Sequence, residues 1–451
     1  MEPSLLPERK PVRFLKIVTP ILITQVALYM VTFFDILMTG RYDTYHLAGV
    51  TIGSSFWVPV YTGLAGILMS LTPIIAQHIG ARRNTEVRPA VQQGLYVSAA
   101  LAIVVFLLIT LVFFPVIRSM GLENPVGPIA IRYLQGMSVG LLPLFAYTVL
   151  RSFFDALGST RVSMFIILIS APINVLLNYL LIYGNFGFPE LGGAGAGYAS
   201  GLTYWIVFGI ALGVALGGRP FRKFSLFAQW QRPKWLYWKE ILVIGVPIGL
   251  SIFVETSIFS VVTLLMSSFS TEVISAHQIA LNFTSLLYMM PLSISMGATI
   301  LVGQSVGGNQ YADAKRYSYM GITFAVAFSL LSIAILLIAR SSIASLYTTD
   351  PAIMALASQF FIFGALFQLS DAVQAPIQGA LRGYKDVNIT FIMGFVSLWV
   401  IGLPVGYAAA SFTGLGPYGY WVGLIAGLTV GAAVLSFRLR FIQRKHEMPA
   451  Q

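Results

Sequence analysis

Three acidic residues lie inside long apolar runs of the sequence. Asp35 occurs in "VTFFDILMTG", Glu255 in "IGLSIFVETSIFSVV" and Asp371 in "FGALFQLSDAVQAPIQ", and none of these runs contains Lys or Arg. A charged side chain at the centre of a membrane helix costs about 2.5–3.5 kcal/mol on insertion scales, so an acid kept there usually faces the protein interior and has a function. A buried carboxyl group without a basic partner can exchange protons or bind a hard cation. Each acid is therefore a candidate site for Na+ or H+.

Amide side chains occur at helical spacing near two of these acids. Asn174 and Asn178 are four residues apart in "SAPINVLLNYLL", so on a helix they share one face and could offer neutral oxygens to a cation beside Asp35. Gln278 and Asn282, also four apart in "SAHQIALNF", offer a similar face toward Glu255 if their helices adjoin. The same amides could instead form hydrogen bonds that hold helices together, and the acids could reach toward helix ends. Spacing alone leaves both interpretations open.

The composition indicates the elements that must position these residues. The chain has 451 residues, of which 57% are hydrophobic and 10% charged, whereas a soluble domain has about 25% charged residues. With a spanning length of about 20 residues as the measure, the sequence predicts an all-α integral membrane protein with twelve transmembrane helices in the lipid bilayer. The predicted helices cover residues 14–38, 47–76, 90–115, 128–150, 161–183, 194–217, 239–267, 274–302, 316–338, 351–378, 386–410 and 416–436.

The distribution of basic residues predicts the orientation. With the N-terminus inside, 23 of the 27 lysines and arginines fall in cytoplasmic segments, and the outer side keeps Arg41, Arg118, Arg132 and Arg340. Cytoplasmic segments retain positive charge during insertion, so this asymmetry predicts cytoplasmic N- and C-termini and a multi-pass protein of a bacterial-type inner (plasma) membrane. The net charge of +11 is then explained by topology, and no nucleic-acid partner is needed.

The two halves of the sequence resemble each other. Pro20 in "TPILIT" matches Pro247 in "VPIGLS", and "AQHIGARR" matches "GQSVGGNQ" at the same offset of 227 residues. Six helices per half make both halves enter the membrane in the same direction, as in transporters built from parallel repeats. We therefore predict an N-lobe at residues 1–217, a basic cytoplasmic linker at 218–238, and a C-lobe at 239–451 that ends in a short basic tail.

Enzymatic and cofactor-dependent functions find no support in the sequence. The chain has no cysteine and four histidines, and it contains no HExxH, GxSxG or Walker motif. No segment between the predicted helices is long enough for a nucleotide-binding domain. We expect a protein that is not an enzyme and has no cofactor other than a coupling ion.

Several separated segments together resemble the multidrug and toxic compound extrusion (MATE) family, in its NorM-type branch. They are "FFDILMTGR", "SAHQIALN", the acid Glu255, and Asp371 followed by "QGALRGYKD". The resemblance implies two six-helix pseudo-symmetric lobes around a central cleft, and export of small cationic amphiphiles in antiport with Na+ or H+ by a monomer. It also implies an N-lobe site for the coupling cation at Asp35, Asn174 and Asn178. The C-lobe site, for the coupling cation or the substrate, is expected at Glu255, Asp371, Gln278 and Asn282, with Na+ a candidate ligand of the three acids.

One feature departs from the pattern of part of the family. Some relatives carry an acid on the fifth helix where this chain has Asn178, which argues against a relay of protons alone through the N-lobe.

A flippase for lipid-linked precursors, which shares the architecture, is the alternative function. Such a protein is expected to present basic residues to a pyrophosphate, whereas these helices present acids.

Overall fold

The computed structural model describes residues 9–447, and every regular element in that range is helical. Eleven helices are long and apolar enough to cross a membrane, and a bent pair of shorter helices supplies a twelfth span. We number them α1 (Lys10–Tyr42), α2 (Thr44–Gly80), α3 (Asn84–Ser119), α4 (Val126–Val139 with Leu141–Ala156), α5 (Thr160–Tyr183), α6 (Gly193–Gly217), α7 (Trp235–Met266), α8 (Thr271–Gly307), α9 (Tyr311–Ser345), α10 (Pro351–Gly383), α11 (Asn388–Phe412) and α12 (Tyr418–Glu447).

Each of the twelve predicted helices has a counterpart, so the predicted all-α membrane fold is confirmed. The helices extend beyond several predicted ends, because the polar turns that flank an apolar run can continue the same helix. The extension of α10 from residue 378 to Gly383 adds Arg382 to the helix. The two halves of α4 meet at Gly140 with a bend of 49°.

The chain packs as two compact units. Among the described residues, the N-unit is Ile23–Gly249, and the C-unit combines residues 9–22 with residues 250–447. The chain therefore changes unit inside α1 and again inside α7, at positions 227 residues apart, which is the offset of the sequence repeat. The predicted lobe boundaries at 217 and 239 follow the repeat in the sequence, whereas packing divides the chain within two helices.

In the N-unit, glycine residues bring α4 and α6 into contact at the backbone. A Cβ atom on Gly197 would lie 2.2 Å from the carbonyl oxygen of Tyr133, and one on Gly140 would lie 2.7 Å from Cα of Gly201. Real Cβ atoms do not approach other atoms this closely, so only glycine fits these crossings. Small residues at helix interfaces are typical of membrane proteins, where close packing replaces the hydrophobic effect as the force between helices.

The C-unit is built around α8 and α10, with the first turns of α1 in its core. Phe14, Val18 and Ile21 of α1 are buried in one cluster with Leu301 and Leu381. A Cβ on Gly379 of α10 would lie 2.1 Å from the carbonyl oxygen of Ser295 on α8. This close crossing fixes the position of α10, the helix that carries Asp371.

Candidate functional sites

The first site surrounds Asp35 of α1 in the N-unit. Asn178 donates a hydrogen bond from Nδ2 to Oδ1 of Asp35 over 2.5 Å, and the Ser200 hydroxyl donates to Oδ2 over 3.4 Å. Asn178 Nδ2 also donates to Oδ1 of Asn174 over 3.0 Å. The structure therefore brings together all three residues that the sequence predicts for this site, and it adds Ser200.

The amides of this site are buried and held by hydroxyl groups of α6. Asn174 Nδ2 donates to the hydroxyl oxygens of Ser200 and Thr203, each over 3.4 Å. Asn178 Oδ1 is buried and has no hydrogen-bond partner among residues 9–447. The site thus contains one carboxylate, several neutral oxygens and an acceptor whose bonding capacity is unused.

Ser200 and Thr203 were missed by sequence reasoning, although a signal for them exists. They lie three residues apart on α6, directly after "GGAGAGYA", and so share a helix face. The glycines bring that face close to α5: a Cβ on Gly195 would lie 2.4 Å from the carbonyl oxygen of Leu181. Polar side chains at such a crossing must point toward the neighbouring helix.

The second site surrounds Glu255 of α7 and Asp371 of α10 in the C-unit. Gln378 donates a hydrogen bond from Nε2 to Oε1 of Glu255 over 2.6 Å. Asp371 is buried, and in the described part of the chain its Oδ2 atom and Oε1 of Gln374 have no hydrogen-bond partner. Asp371, Gln374, Gln378 and Arg382 follow one another at spacings of three and four residues, so they form a polar stripe along one face of α10.

A basic residue lies close to this second site. Arg382 is buried and near enough to Glu255 for an attractive interaction between their charges, while Asp371 and Glu255 repel each other. The Tyr288 hydroxyl of α8 lies within electrostatic range of all three residues. Sequence reasoning placed Arg382 beyond the end of α10, and the longer helix is what brings it back toward Glu255.

Gln278 and Asn282 are placed elsewhere on α8. Both are exposed, and Asn282 Oδ1 accepts a hydrogen bond from the Tyr347 hydroxyl over 3.1 Å. Within residues 9–447, no hydrogen bond joins either amide to Glu255 or Asp371. The amides beside Glu255 come from α10, so a role for Gln278 and Asn282 stays a prediction without support from these contacts.

A cation at either site would need mixed oxygen ligands. In the described part of the chain, no three His, Asp or Glu residues are grouped closely enough to hold a metal ion. The first site offers one carboxylate with amide and hydroxyl oxygens, and the second offers two carboxylates with the amide of Gln374 or Gln378. Carboxylate, amide and hydroxyl oxygens are ligands suited to hard cations.

Comparison with a protein-family model identifies the chain. The model named MatE matches it twice, at residues 20–180 and 247–408, which together cover more than half of its length. The chain belongs to the MATE family. The two matches begin 227 residues apart, as the repeat in the sequence predicts, and the resemblance to the family is confirmed.

The MATE relatives of this chain include NorM-type proteins of similar length. A probable multidrug resistance protein NorM of Halalkalibacterium halodurans is 52% identical over 451 residues, covering 100% of this chain and 98% of the relative. One of the same name from Bacillus subtilis is 51% identical over 434 residues, covering 96% of both. The chain is therefore a MATE protein of the NorM type.

Solved structures show the same fold at low sequence identity. An outward-facing multidrug resistance MATE family transporter of the MOP superfamily aligns with a TM-score of 0.87 and 18% identity, covering 97% of this chain and 96% of that one. A Pyrococcus furiosus MOP superfamily transporter, described as having a binding pocket of reverse polarity that suggests a different function, aligns with a TM-score of 0.85 and 19% identity over 97% of both chains. Likeness of fold at this identity leaves the transported substrate open.

Proposed function

We propose that this protein is a secondary active multidrug efflux transporter that exports small organic cations in exchange for Na+ or H+. The observation that carries the proposal is the pair of acidic sites inside apolar helices, each organised by an amide that donates to a carboxylate. Membership of the MATE family, with relatives named as multidrug resistance proteins, supports the same function.

The Asp35 site favours Na+ over a chain of proton carriers in the N-unit. Asp35 is surrounded by the amides of Asn174 and Asn178 and the hydroxyls of Ser200 and Thr203, none of which exchanges protons at neutral pH. A cation that enters could replace the N–H of Asn178 and engage its unused Oδ1 after rotation of the amide. Proton coupling in this unit would depend on Asp35 alone.

The Glu255 and Asp371 site offers a second place for an incoming cation. Two like charges held close together repel each other, so a proton or Na+ that neutralises one of them is bound more strongly than at an isolated acid. Arg382 partly offsets the charge of Glu255, which leaves Asp371 as the acid with the greater need of a cation.

In the proposed cycle, an inward-moving cation from outside neutralises a buried carboxylate, which weakens the hold on a cationic drug and favours its outward release. The cation-loaded site then turns to the cytoplasmic side and releases the cation there, which frees the carboxylate for the next drug molecule. Exchange of one Na+ or H+ for one monovalent drug cation moves no net charge, so the concentration gradient of the coupling ion drives it. Each additional cation that enters adds about 2.3 kcal/mol per 100 mV of potential. We further propose that the protein acts as a monomer in the plasma membrane, with both termini in the cytoplasm.

The experiment that tests the function measures ethidium export from proteoliposomes that contain the full-length protein. A Na+ gradient alone and a pH gradient alone are imposed in turn at matched membrane potential. Export driven only by Na+ would make both sites Na+ ligand sets, and export driven only by the pH gradient would make their acids proton carriers. Absence of export under either gradient, from protein shown to be folded, would contradict the proposal.

A flippase for lipid-linked precursors remains the second candidate, and one observation favours it. Arg382 is a buried cation within the polar stripe of α10, and a cationic group is what a pyrophosphate would require. Its position near Glu255 argues against free access for an anion. Translocation of a fluorescent lipid diphosphate in the same proteoliposomes, without ethidium export, would establish this alternative.

A further inference from the structure

The predicted linker is a folded element of the N-unit. Residues 219–222 form a short helix, Arg219–Arg222, and the side chains of Phe221, Phe224 and Leu226 are buried. Phe221 packs against Phe154 with ring centroids 4.8 Å apart. The segment therefore has an apolar inner side that lies on the end of α4.

Two adjacent glutamines of α3 bind the backbone of this segment. Gln92 Nε2 donates to the carbonyl oxygens of Leu226 and Gln229 over 2.5 and 2.9 Å, and its Oε1 accepts from the Gln231 amide over 3.1 Å. Gln93 Nε2 donates to the Arg232 carbonyl over 3.0 Å, and its Oε1 accepts from the Lys234 amide over 3.0 Å. Both glutamine side chains are fully buried. A segment held at so many backbone positions has a fixed shape.

The outer side of the same segment is strongly basic and carries aromatic groups. It presents six exposed cations between residues 219 and 239, and the described part of the chain places no acidic partner in ion-pair contact with any of them. These cations are Arg219, Arg222, Lys223, Arg232, Lys234 and Lys239. Trp230, Trp235 and Leu236 are exposed beside them, at 51%, 69% and 77%.

We propose that residues 219–239 form a rigid binding surface for anionic phospholipid headgroups of the cytoplasmic leaflet. The segment joins the end of α6 at Gly217 to the start of α7 at Trp235, so both of its ends lie where spanning helices leave the membrane. Tryptophan is enriched at this depth, and groups of four to eight basic residues next to spanning helices attract anionic lipids. The assignment of this surface to the cytoplasmic leaflet rests on the proposed orientation. Its preference for anionic headgroups rests on the six cations and the exposed tryptophans.

If these cations only set the orientation of the helices during membrane insertion, the segment would not need a fixed shape. Positive charge fixes orientation during insertion through the number of Lys and Arg residues, regardless of how they are later arranged. The glutamine contacts and the buried Phe221 and Phe224 hold the six cations in one arrangement after insertion. A fixed arrangement of charges and tryptophans is what recognition of a headgroup requires.

The test uses full-length protein purified in detergent, where orientation no longer matters, and native mass spectrometry to count bound lipids. Equal amounts of phosphatidylglycerol and phosphatidylcholine are added, and the ratio of bound species is measured. In the variant R222Q/K223Q/R232Q/K234Q, the ratio of bound phosphatidylglycerol to bound phosphatidylcholine should fall at least tenfold. Each cation near an anionic lipid strengthens binding by up to about fivefold. All four residues are exposed, so the fold should be retained.

Two further variants decide the outcome. The charge-preserving set R222K/K223R/R232K/K234R should keep most of the preference, and R444Q/K445Q, which removes exposed cations at the end of α12, should keep all of it. An unchanged ratio in the four-glutamine variant, or an equal loss in the α12 control, would overturn the proposal. A loss in the four-glutamine variant alone would establish the surface, independently of whether the protein exports ethidium.

Discussion

Gln378 donates a hydrogen bond to Oε1 of Glu255 over 2.6 Å, and so it ties an acid of α7 to the helix that carries Asp371. Asn178 makes the corresponding contact to Asp35 over 2.5 Å in the N-unit. In each unit a neutral amide satisfies one oxygen of a half-buried carboxylate and leaves the acid without a full counter-charge. An incoming cation therefore finds acids that are positioned by hydrogen bonds and still incompletely neutralised.

Replacing Asp371 with Asn should abolish drug efflux while leaving membrane insertion intact. Asn keeps the size of the side chain but removes the charge that an incoming cation would neutralise. Oδ2 of Asp371 has no hydrogen bond to lose with any residue that the structure describes. Ethidium export from proteoliposomes measures the effect. The control E272Q changes an exposed acid at the start of α8 and should export normally. Efflux by D371N at the wild-type rate would remove Asp371 from the coupling mechanism.

Replacing Asn178 with Ala should weaken apparent affinity for Na+ by about tenfold, because it removes an amide oxygen beside Asp35. Apparent affinity for H+ should instead rise, because the ionised form of Asp35 loses a hydrogen bond that contributes about 1.5–3 kcal/mol. The variant removes the contacts of Asn178 with Asp35 and Asn174 together. The measurement is the rate of export as a function of Na+ concentration and, separately, of pH. N185A, which alters an amide after the end of α5, is the matched control. Equal ion dependence in N178A and wild type would separate Asn178 from the cation site.

Replacing Gly379 with Ala should destabilise the protein by about 1–3 kcal/mol, the usual cost of overpacking. The added methyl group would lie 2.1 Å from the carbonyl oxygen of Ser295, a backbone atom that can move only with α8. Thermal unfolding in detergent tests this. The control G209A adds its methyl group where, apart from the adjacent residues and backbone of its own helix, no described atom lies within 4 Å, so its unfolding temperature should not fall. Similar unfolding of G379A and wild type would show that the crossing of α8 and α10 can widen at no cost.

Replacing Gln93 with Leu should release the segment that precedes α7. The change leaves the Arg232 carbonyl and the Lys234 amide without their partner and removes the acceptor of the Trp238 indole N–H. Each buried polar group left unpaired costs about 1–3 kcal/mol. Limited trypsin digestion should then cleave after Lys234 faster than in wild type or in Q135L, whose glutamine is exposed on α4. Equal cleavage rates would show that Gln93 does not hold the segment.

The sequence was sufficient to predict the twelve helices, because an apolar run of spanning length has few other stable structures in a membrane. It also predicted the Asp35, Asn174 and Asn178 group, since two of these residues share a helix face by spacing alone. Which helices adjoin is a matter of tertiary packing. Gln278 and Asn282 have the same spacing as the two asparagines, yet the glycine crossing at Gly379 places α10 close to α8, and α10 supplies the amide that reaches Glu255.

Arg382 and Ser200 show two further limits of sequence reasoning. Arg382 belongs to a helix that runs past its apolar segment, and hydropathy cannot detect such an extension. Ser200 becomes part of the first site only because glycines let α6 approach α5, a contact that depends on both helices at once. The boundaries of the compact units inside α1 and α7 were missed for the same reason. They depend on how the helices pack and not on the order of the segments in the sequence.

The packing of the first turns of α1 determines how the chain could be split into fragments that reassemble. Phe14, Val18 and Ile21 fill the core of the C-unit although they precede every other span in the chain. A C-terminal fragment that begins at residue 239 would lack these side chains and expose a gap beside Leu301 and Leu381, and the complementary fragment would carry them without their surroundings. Split-protein complementation should therefore need both fragments in one membrane. A circularly permuted chain that fuses residue 447 to residue 9 would keep the first turns of α1 beside Leu301 and Leu381.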